Sequence, residues 1–366
     1  MHLTRLALTD FRSYESLELT FQPGVNTFIG NNGCGKTNII EALIYLGFLS
    51  SHRVSTNAPL IHREQEQAII RTEITSDDRS LAVDLEINAN KANRARINQN
   101  PTKSQREILG ALQIIYFTPE DLDLVRGEPT QRRDFMDKLL ITRTPRLAGV
   151  ISDYERVLRQ RNTLLKTRAP ENALIPWTEQ LIKLGAELTA ERIKLVEKLN
   201  PFVTENYANL NEVKKASISY KSSTDGLTGD FEKNQIVLTE KQIEAARNEV
   251  ERGVSLIGPH RDDLYLHLGE FPAKGYASHG ESWSIAISLR IGSFNLLREE
   301  GSHPILILDD IFAELDTARR TQLVAVTKLA EQTFITAAVE SDLPQDLLTQ
   351  RFYVSPGSVT RAESTP

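Results

Sequence analysis

Gly30-Asn31-Asn32-Gly33-Cys34-Gly35-Lys36-Thr37 matches the phosphate-loop pattern G-x-x-x-x-G-K-[ST] at every fixed position. Thr27-Phe28-Ile29 before it is short, apolar and β-prone, and residues 38–46 after it read as a helix. Three glycines let backbone N–H groups curl around a phosphate without Cβ clashes, and a helix N-terminus adds partial positive charge at the same point. Lys36 has the length to reach the β/γ-phosphates of a nucleoside triphosphate, and the Thr37 hydroxyl can ligate Mg²⁺. A chance glycine-rich turn is the bland alternative, and the strand–loop–helix order disfavours it. Gly30, Asn31, Asn32, Gly33, Cys34, Gly35, Lys36, Thr37 and the following Asn38 are therefore the candidate nucleotide-binding residues. Cys34 sits at a variable position of the pattern and has no implied chemistry.

Working outward, residues 3–8, 17–21, 68–74, 81–87 and 94–98 alternate or run β-prone, and residues 113–117 form another apolar strand. From Pro119 to about Leu210 the period becomes helical, with Trp177, Leu181, Leu184 and Leu188 at three- and four-residue spacing. Ala169-Pro170 and Asn200-Pro201 are expected to punctuate this region, and residues 222–229 to form a flexible loop. After about Val254 strand–helix alternation returns. Pro304-Ile305-Leu306-Ile307-Leu308-Asp309-Asp310 is a buried-strand run ending in two carboxylates. Alone it reads equally well as a core strand and an Asp turn. Beside a phosphate loop it reads as a Walker B strand, with Asp309 as the Mg²⁺ partner and Asp310 placed to orient or deprotonate the attacking water. Asp309 lies far from Lys36 in sequence, so the two ends of the chain must fold together around one nucleotide. The expected organisation is α/β, with residues 1–118 and 254–366 making one domain and residues 119–253 an inserted helical lobe.

The 366 residues carry 40% hydrophobic and 25% charged side chains, an ordinary globular composition. The N-terminus has no signal-peptide pattern, and no apolar run approaches the roughly 18 residues needed to span a bilayer. A single cysteine excludes a disulfide framework and a multi-Cys metal site, and the histidines show no metal-ligand spacing. A cytoplasmic protein without a membrane partner is the expectation. Net charge is −6, but the cations are unevenly spread. Residues 89–106 hold five basic side chains and no acid, and residues 126–168 hold eleven basic against five acidic. That local surplus suggests a polyanion-binding face, against the plain alternative of a solvated helix surface. Arg94, Arg96, Lys103, Arg132, Arg133, Arg159 and Arg161 are the candidate DNA contacts. No base-reading motif appears, so phosphate contacts should dominate and binding should weaken steeply with salt.

Ala277-Ser278-His279-Gly280-Glu281-Ser282-Trp283-Ser284 leads into an apolar helix over residues 285–297, and Ala313-Glu314-Leu315-Asp316 follows the Walker B strand. A Ser-x-Gly-[Gln/Glu] element, a Walker B strand and a short acidic loop resemble an ABC-type ATPase head. Further landmarks are Asp10-Phe11-Arg12-Ser13-Tyr14, Ser51-His52-Arg53, Phe117-Thr118-Pro119-Glu120-Asp121-Leu122, Arg132-Arg133, Gln160-Arg161-Asn162 and Gly258-Pro259-His260-Arg261-Asp262-Asp263. In this order, over essentially the full length, they resemble the RecF family.

That resemblance implies an α/β ABC-type P-loop ATPase head built from both termini, with a short inserted helical arm. It implies ATP and Mg²⁺ as cofactors, with Thr37 and Asp309 toward the metal and Lys36, Asp309 and Asp310 toward hydrolysis. Ser278 and Gly280 would contact the γ-phosphate held by a second subunit, Arg12 a nucleotide phosphate, and Asp316 the dimer interface. The implied activity is an ATP-dependent homodimeric clamp on double-stranded DNA near single-strand junctions, in recombinational and gap repair, DNA replication and the SOS response to DNA damage. RecR, with RecO, and indirectly RecA are the implied partners, and the nucleoid the implied place of work. Glu281 and Trp283 stand where many relatives have Gln and Arg. Residues 337–339 offer no histidine where many ABC heads place a γ-phosphate sensor. These departures favour a slow switch, and the resemblance implies weak, DNA-stimulated hydrolysis. An ATPase subunit of another ABC-type machine, either a nuclease-associated break-repair complex or a transporter, is the competing reading. A GTPase lacks its Asn-Lys-x-Asp element here.

Overall fold

A computed structural model describes residues 1–76, 79–210 and 214–362. The chain divides into two compact units, Met1–Asp121 with Ala286–Pro366, and Leu122–Ile285.

The first unit begins with the hairpin β1 (His2–Phe11) and β2 (Tyr14–Thr20), then β3 (Gly24–Ile29) and helix α1 (Lys36–Phe48). Strands β4 (Gln67–Ser76), β5 (Arg79–Asn88), β6 (Arg94–Ile97), β7 (Asn100–Pro101) and β8 (Ile114–Phe117) follow. In β4 the alternation is strict: Ala68, Ile70, Thr72 and Ile74 are buried and their neighbours are not. Such a strand has one face for a core and one for water, which suits an antiparallel sheet. The sheet runs β2-β1-β4-β5-β6-β7. Strand β3 instead carries buried Asn26, Thr27, Phe28 and Ile29 in succession, as a strand covered on both faces must. Helix α1 is buried from Ile39 to Phe48, and its residues share one apolar cluster with residues of both sheets of this unit.

The second unit holds α2 (Leu122–Arg126), α3 (Pro129–Arg143), α4 (Leu147–Lys166), α5 (Glu171–Ala208), β9 (Ala216–Lys221), α6 (Phe231–Arg252), β10 (Asp263–Leu268), β11 (Phe271–Pro272), α7 (Ala273–Tyr276) and the start of α8 (His279–Glu299). Two expectations change here. Asn200-Pro201 does not punctuate the helix; α5 runs through both Pro176 and Pro201. Leu195, Val196, Leu199, Val203 and Tyr207 are buried around that point, and this packing outweighs the lost backbone bond. The boundary after residue 253 also moves. Strand β10 pairs antiparallel with β9, Leu264 opposite Tyr220, so residues 254–285 belong to the helical unit. The division falls inside α8, after Ile285.

The chain then completes the first unit with β12 (Ile305–Leu308), α9 (Thr317–Thr327), β13 (Gln332–Ala337), β14 (Gln350–Ser355) and β15 (Ser358–Arg361). Its second sheet has the order β15-β14-β3-β13-β12-β8, and the five strands from β14 to β8 are parallel. Phe21, Phe28, Phe334 and Phe352 pack together beneath it, with the Phe21 and Phe334 ring centroids 4.9 Å apart. Such edge-to-face contacts add about 0.5–1.5 kcal/mol per pair beyond area burial. Asp121, from a landmark segment, is buried in an ion pair with Arg290, whose guanidinium stacks over Tyr116 at 4.4 Å.

Candidate nucleotide-binding site

The parallel sheet brings the two distant motifs together. Strand β13 lies between β3 and β12, in register Ala337 opposite Ile29 and Ile335 opposite Leu308. The phosphate loop leaves the C-terminal end of β3, and Asp309 and Asp310 leave that of β12. Ligands of open α/β sheets bind at this edge.

The loop conformation rests on its glycines. Gly35 has φ +115°, begins α1, and would drive a Cβ to 2.7 Å from the Tyr14 hydroxyl. Gly30 lies so close to β14 that a Cβ would sit 2.3 Å from the Val354 carbonyl oxygen. The Lys36 and Thr37 N–H groups that open α1 have no acceptor within the helix, Asn38 being the first to donate back, to Gly35 at 3.0 Å, and the first turn carries no acidic side chain. Loop and helix end together form a cradle for an anion. The Lys36 ammonium is buried, donates to the carbonyls of Gly30 (2.8 Å) and Asn31 (3.4 Å), and lies 4.0 Å from the Asp310 carboxylate.

At the end of β12, Asp309 is buried and accepts a hydrogen bond from the Thr336 hydroxyl at 2.6 Å. The same hydroxyl oxygen accepts the Asp310 N–H at 2.8 Å, with Asp310 in the left-handed region at φ +48°. Burial pushes the Asp309 carboxyl up to about 6, the Thr336 bond opposes this, and the charge of Asp310 adds to it. A buried carboxylate so disfavoured as an anion is suited to a site where a cation completes the charge balance. No cluster of three or more metal-ligating side chains occurs among the described residues. One hydroxyl and one carboxylate, both hard oxygen donors, fit Mg²⁺ held together with phosphate oxygens.

A cavity of about 430 Å³ opens over these groups. Asn32, Gly33, Gly35, Lys36, Thr37 and Asn38 line one side, and Asp310, Thr336, Ala337 and Ala338 another. Gly30, Asn31, Cys34 and Asp309 do not line it; Asp309 and Cys34 are buried. The arginine expected at the phosphates is also different. Arg12 is committed to Glu41 by two hydrogen bonds (2.8 and 2.6 Å) and to the Pro59 carbonyl (2.7 Å), and does not line the cavity. Arg53 does, with its guanidinium 3.4 Å from the Asn38 side-chain oxygen and 3.6 Å from buried Glu41. Arg53, Glu41 and Thr336 are the site residues that pattern reading missed. Arg53 belongs to a landmark whose role no motif explains, and Thr336 directly precedes residues 337–339, where the pattern looks for a histidine.

Comparison with known proteins agrees with this architecture. Residues 2–350 match the family model described as the RecF/RecN/SMC N terminal domain. A DNA replication and repair protein RecF of Streptomyces avermitilis is 48% identical over 99% of this chain and all of its own length. The RecF proteins of Frankia alni and an Arthrobacter species are 47% and 44% identical over 99% and 100% of the chain and all of their own lengths. The chain belongs to the RecF family.

A solved structure of the recombination mediator protein RecF with ATPrS, in the RecFOR pathway, superposes with a TM-score of 0.90 at 25% identity. It covers 99% of this chain and 98% of its own. The corresponding RecF–ATP structure gives 0.88, also at 25% identity, and covers 99% of both chains. An Smc head bound to the C-winged helix domain of ScpA gives 0.57 at 16% identity over 99% and 97% of the two chains, which extends the likeness in fold alone. The expected α/β ABC-type head, formed from both ends of the chain, is the fold of this RecF-family protein. No helix among the described residues is long and apolar enough to cross a membrane.

The remaining RecF-type residues lie as follows. Ser278 caps α8: its N–H donates to Glu281 (2.8 Å), and its hydroxyl accepts the Glu281 N–H (3.2 Å). Glu281 thus completes a capping box, as Gln also could, and its charge additionally pairs with Lys214 at 2.6 Å. The Trp283 departure is a buried ring. Gly280 lies in the first turn of α8. Asp316 caps α9 by accepting the Arg319 N–H at 3.0 Å, with its side chain 57% exposed.

The DNA candidates divide sharply. Arg94, Arg96 and Lys103 are exposed around the β6–β7 hairpin, and Arg159 is exposed on α4. Arg132 and Arg161 are corrections. Arg132 is buried, bidentate to Asp263 (2.7 and 2.8 Å), and Arg161 is buried between Glu249 (2.6 Å), Ser255 (2.7 Å) and Thr178 (2.9 Å). A buried guanidinium already paired with a carboxylate is not presented to a DNA phosphate in solvent. Arg133 is partly held too, donating to the Asp262 carbonyl at 2.8 Å.

Proposed function

We propose that this protein is an ATP-dependent DNA clamp of RecF type, working in recombinational gap repair with RecO and RecR to help load RecA. The observation that carries the reading is the join of the phosphate loop to the Asp309–Thr336–Asp310 cluster on neighbouring strands, in a chain that matches RecF proteins end to end. Gly30 to Asn38 and Lys36 bind the triphosphate, and Thr37 and Asp309 hold Mg²⁺. When bound, Mg²⁺ neutralises charge on the phosphate oxygens. Asp310, half-exposed at the cavity wall, orients the attacking water and accepts its proton. Ser278 and Gly280 of one subunit close on the nucleotide of the other, with Asp316 at the same interface, so ATP binding drives dimerisation.

Two features support a slow hydrolysis, which on this reading DNA stimulates and which resets the clamp. The second carboxylate is an Asp, one methylene shorter than Glu, and Ala337 and Ala338 provide no sensor side chain at the cavity. Exposed Arg94, Arg96, Lys103 and Arg159 supply phosphate contacts to duplex DNA beside single-strand gaps. The test is sedimentation of the wild type and Lys36→Arg with ATP and gapped DNA. An ATP-dependent dimer on DNA, weakened or frozen by the substitution, is expected. A monomer under every condition overturns the reading.

A further inference from the structure

Four of the nine exposed large hydrophobic side chains among the described residues stand on two helices of the second unit, Ile175 on α5 and Ile236, Ile243 and Val250 on α6. The three on α6 are 60%, 73% and 47% exposed and recur every seven residues, with Thr239 and Ala246 at the intermediate heptad positions. Seven residues return to within about 20° on a straight helix, so these side chains form one stripe. The stripe does not hold α6 in place. The residues that α6 buries are Asn234, Leu238, Gln242 and Glu249. An apolar heptad seam outside the helix's own packing face is the pattern of a helix that receives another helix.

From Thr239 onward the seam forms one wall of a groove of about 740 Å³, with Ile236 beyond its end. Ile243 and Val250 face it from α6, Leu174, Ile175 and Ile182 from α5, and Leu165 from α4. The lining runs from Glu171 to Ile182 on one helix and from Thr239 to Glu251 on the other. At 1.5 Å per residue each wall is about 17 Å long, three helical turns. The floor is fixed by the buried Arg161–Glu249 pair, so the groove is formed before anything enters it. Its charge is one-sided. Arg247 is neutralised by Glu251 at 3.0 Å, whereas Glu171 and Glu179 on the α5 wall are exposed and have no ion-pair partner among the described residues.

We propose that this groove docks an amphipathic helix of a protein partner, about three turns long, with an apolar heptad stripe flanked by Lys or Arg. The basic flank follows from Glu171 and Glu179. A second copy of this chain fits poorly, because a two-fold contact would set a concave face and its carboxylates against themselves.

The test uses the full chain and two synthetic 18-residue helical peptides, each with Leu at the heptad positions and either Lys or Glu at the flanking ones, followed by fluorescence anisotropy. The Lys peptide should bind at least tenfold tighter than the Glu peptide. Ile243→Asp should weaken it at least tenfold, although the added negative charge would strengthen any unspecific attraction. Glu171→Lys with Glu179→Lys should abolish the preference. Equal binding of both peptides, or unchanged or tighter binding of the Lys peptide by Ile243→Asp, overturns the proposal. So does a dimer that forms without peptide or nucleotide and is lost in Ile243→Asp, since the occupant would then be a second copy.

Discussion

The Thr336 hydroxyl donates to the Asp309 carboxylate at 2.6 Å and accepts the Asp310 N–H at 2.8 Å, so one side chain ties the carboxylate of one acidic residue and the backbone of the next to the strand beside the phosphate loop. Thr336→Val should leave a buried carboxylate and a backbone N–H without these partners, a loss of about 1–3 kcal/mol. If the pair positions the reacting water, ATP turnover should fall at least about tenfold while nucleotide affinity changes by less than about threefold. Thr336→Ser should recover most of the rate. Single-turnover hydrolysis and equilibrium nucleotide titration separate the two effects; equal losses in both would deny Thr336 a role in turnover.

Arg161 and Arg159 are two residues apart and should behave oppositely. Arg161→Ala strands buried Glu249, and removal of one partner of such a pair destabilises by about 3–5 kcal/mol. Arg159 is 70% exposed in an i,i+4 pair with Glu155, so Arg159→Ala should shift stability by less than about 0.5 kcal/mol. Urea unfolding of the two variants checks the ordering.

Arg94, Arg96 and Lys103 provide a different readout. Replacing all three with Ala should weaken binding of any duplex sequence to a similar extent and flatten the plot of log affinity against log salt by about 2–3. Stability should be unaffected, because all three are exposed. An unchanged salt slope would remove this hairpin from the DNA-binding face.

Acid should weaken the second unit through His260. The ring accepts or donates at Tyr154 (2.7 Å) and lies 3.2 Å from the Ser255 carbonyl, an arrangement satisfied by a neutral imidazole. Burial, with the charges of Arg261 and Arg133, lowers its pKa from 6.5 to about 4. The unfolded chain therefore takes up the proton first. Stability is complete above pH 6.5 and is lost as pH falls toward 4. At 1.36 kcal/mol per unit the full difference is about 3 kcal/mol, and solvent screening at a partly exposed ring brings it to about 1–2 kcal/mol. Urea midpoints between pH 7 and 4 should drop less for His260→Gln than for the wild type.

Local chemistry made much of this molecule readable. The phosphate loop, the Walker B run and the alternation of the early strands each follow from residues adjacent in sequence, where sterics and periodicity act directly. Arg132 and Arg161 depart from expectation because a cationic side chain looks the same in sequence whether it faces water or a carboxylate 131 or 88 residues away. Asp262 and Asp263 show the same limit. Asp262 accepts from Tyr220, Ser222 and Ser223, while Asp263 holds Arg132, so this landmark ties the second unit together.

Sequence alone shows a phosphate-loop pattern and a strand run of Walker B type in one chain, because each motif is a local pattern of backbone freedom, helix dipole and side-chain length. Folding in three dimensions settles which strand stands between them, that Thr336 bonds the Asp309 carboxylate and the Asp310 N–H, that Arg53 and not Arg12 faces the cavity, and which basic residues remain in solvent. Those outcomes depend on sheet order and on competition among partners far apart in the chain, and no local pattern encodes either.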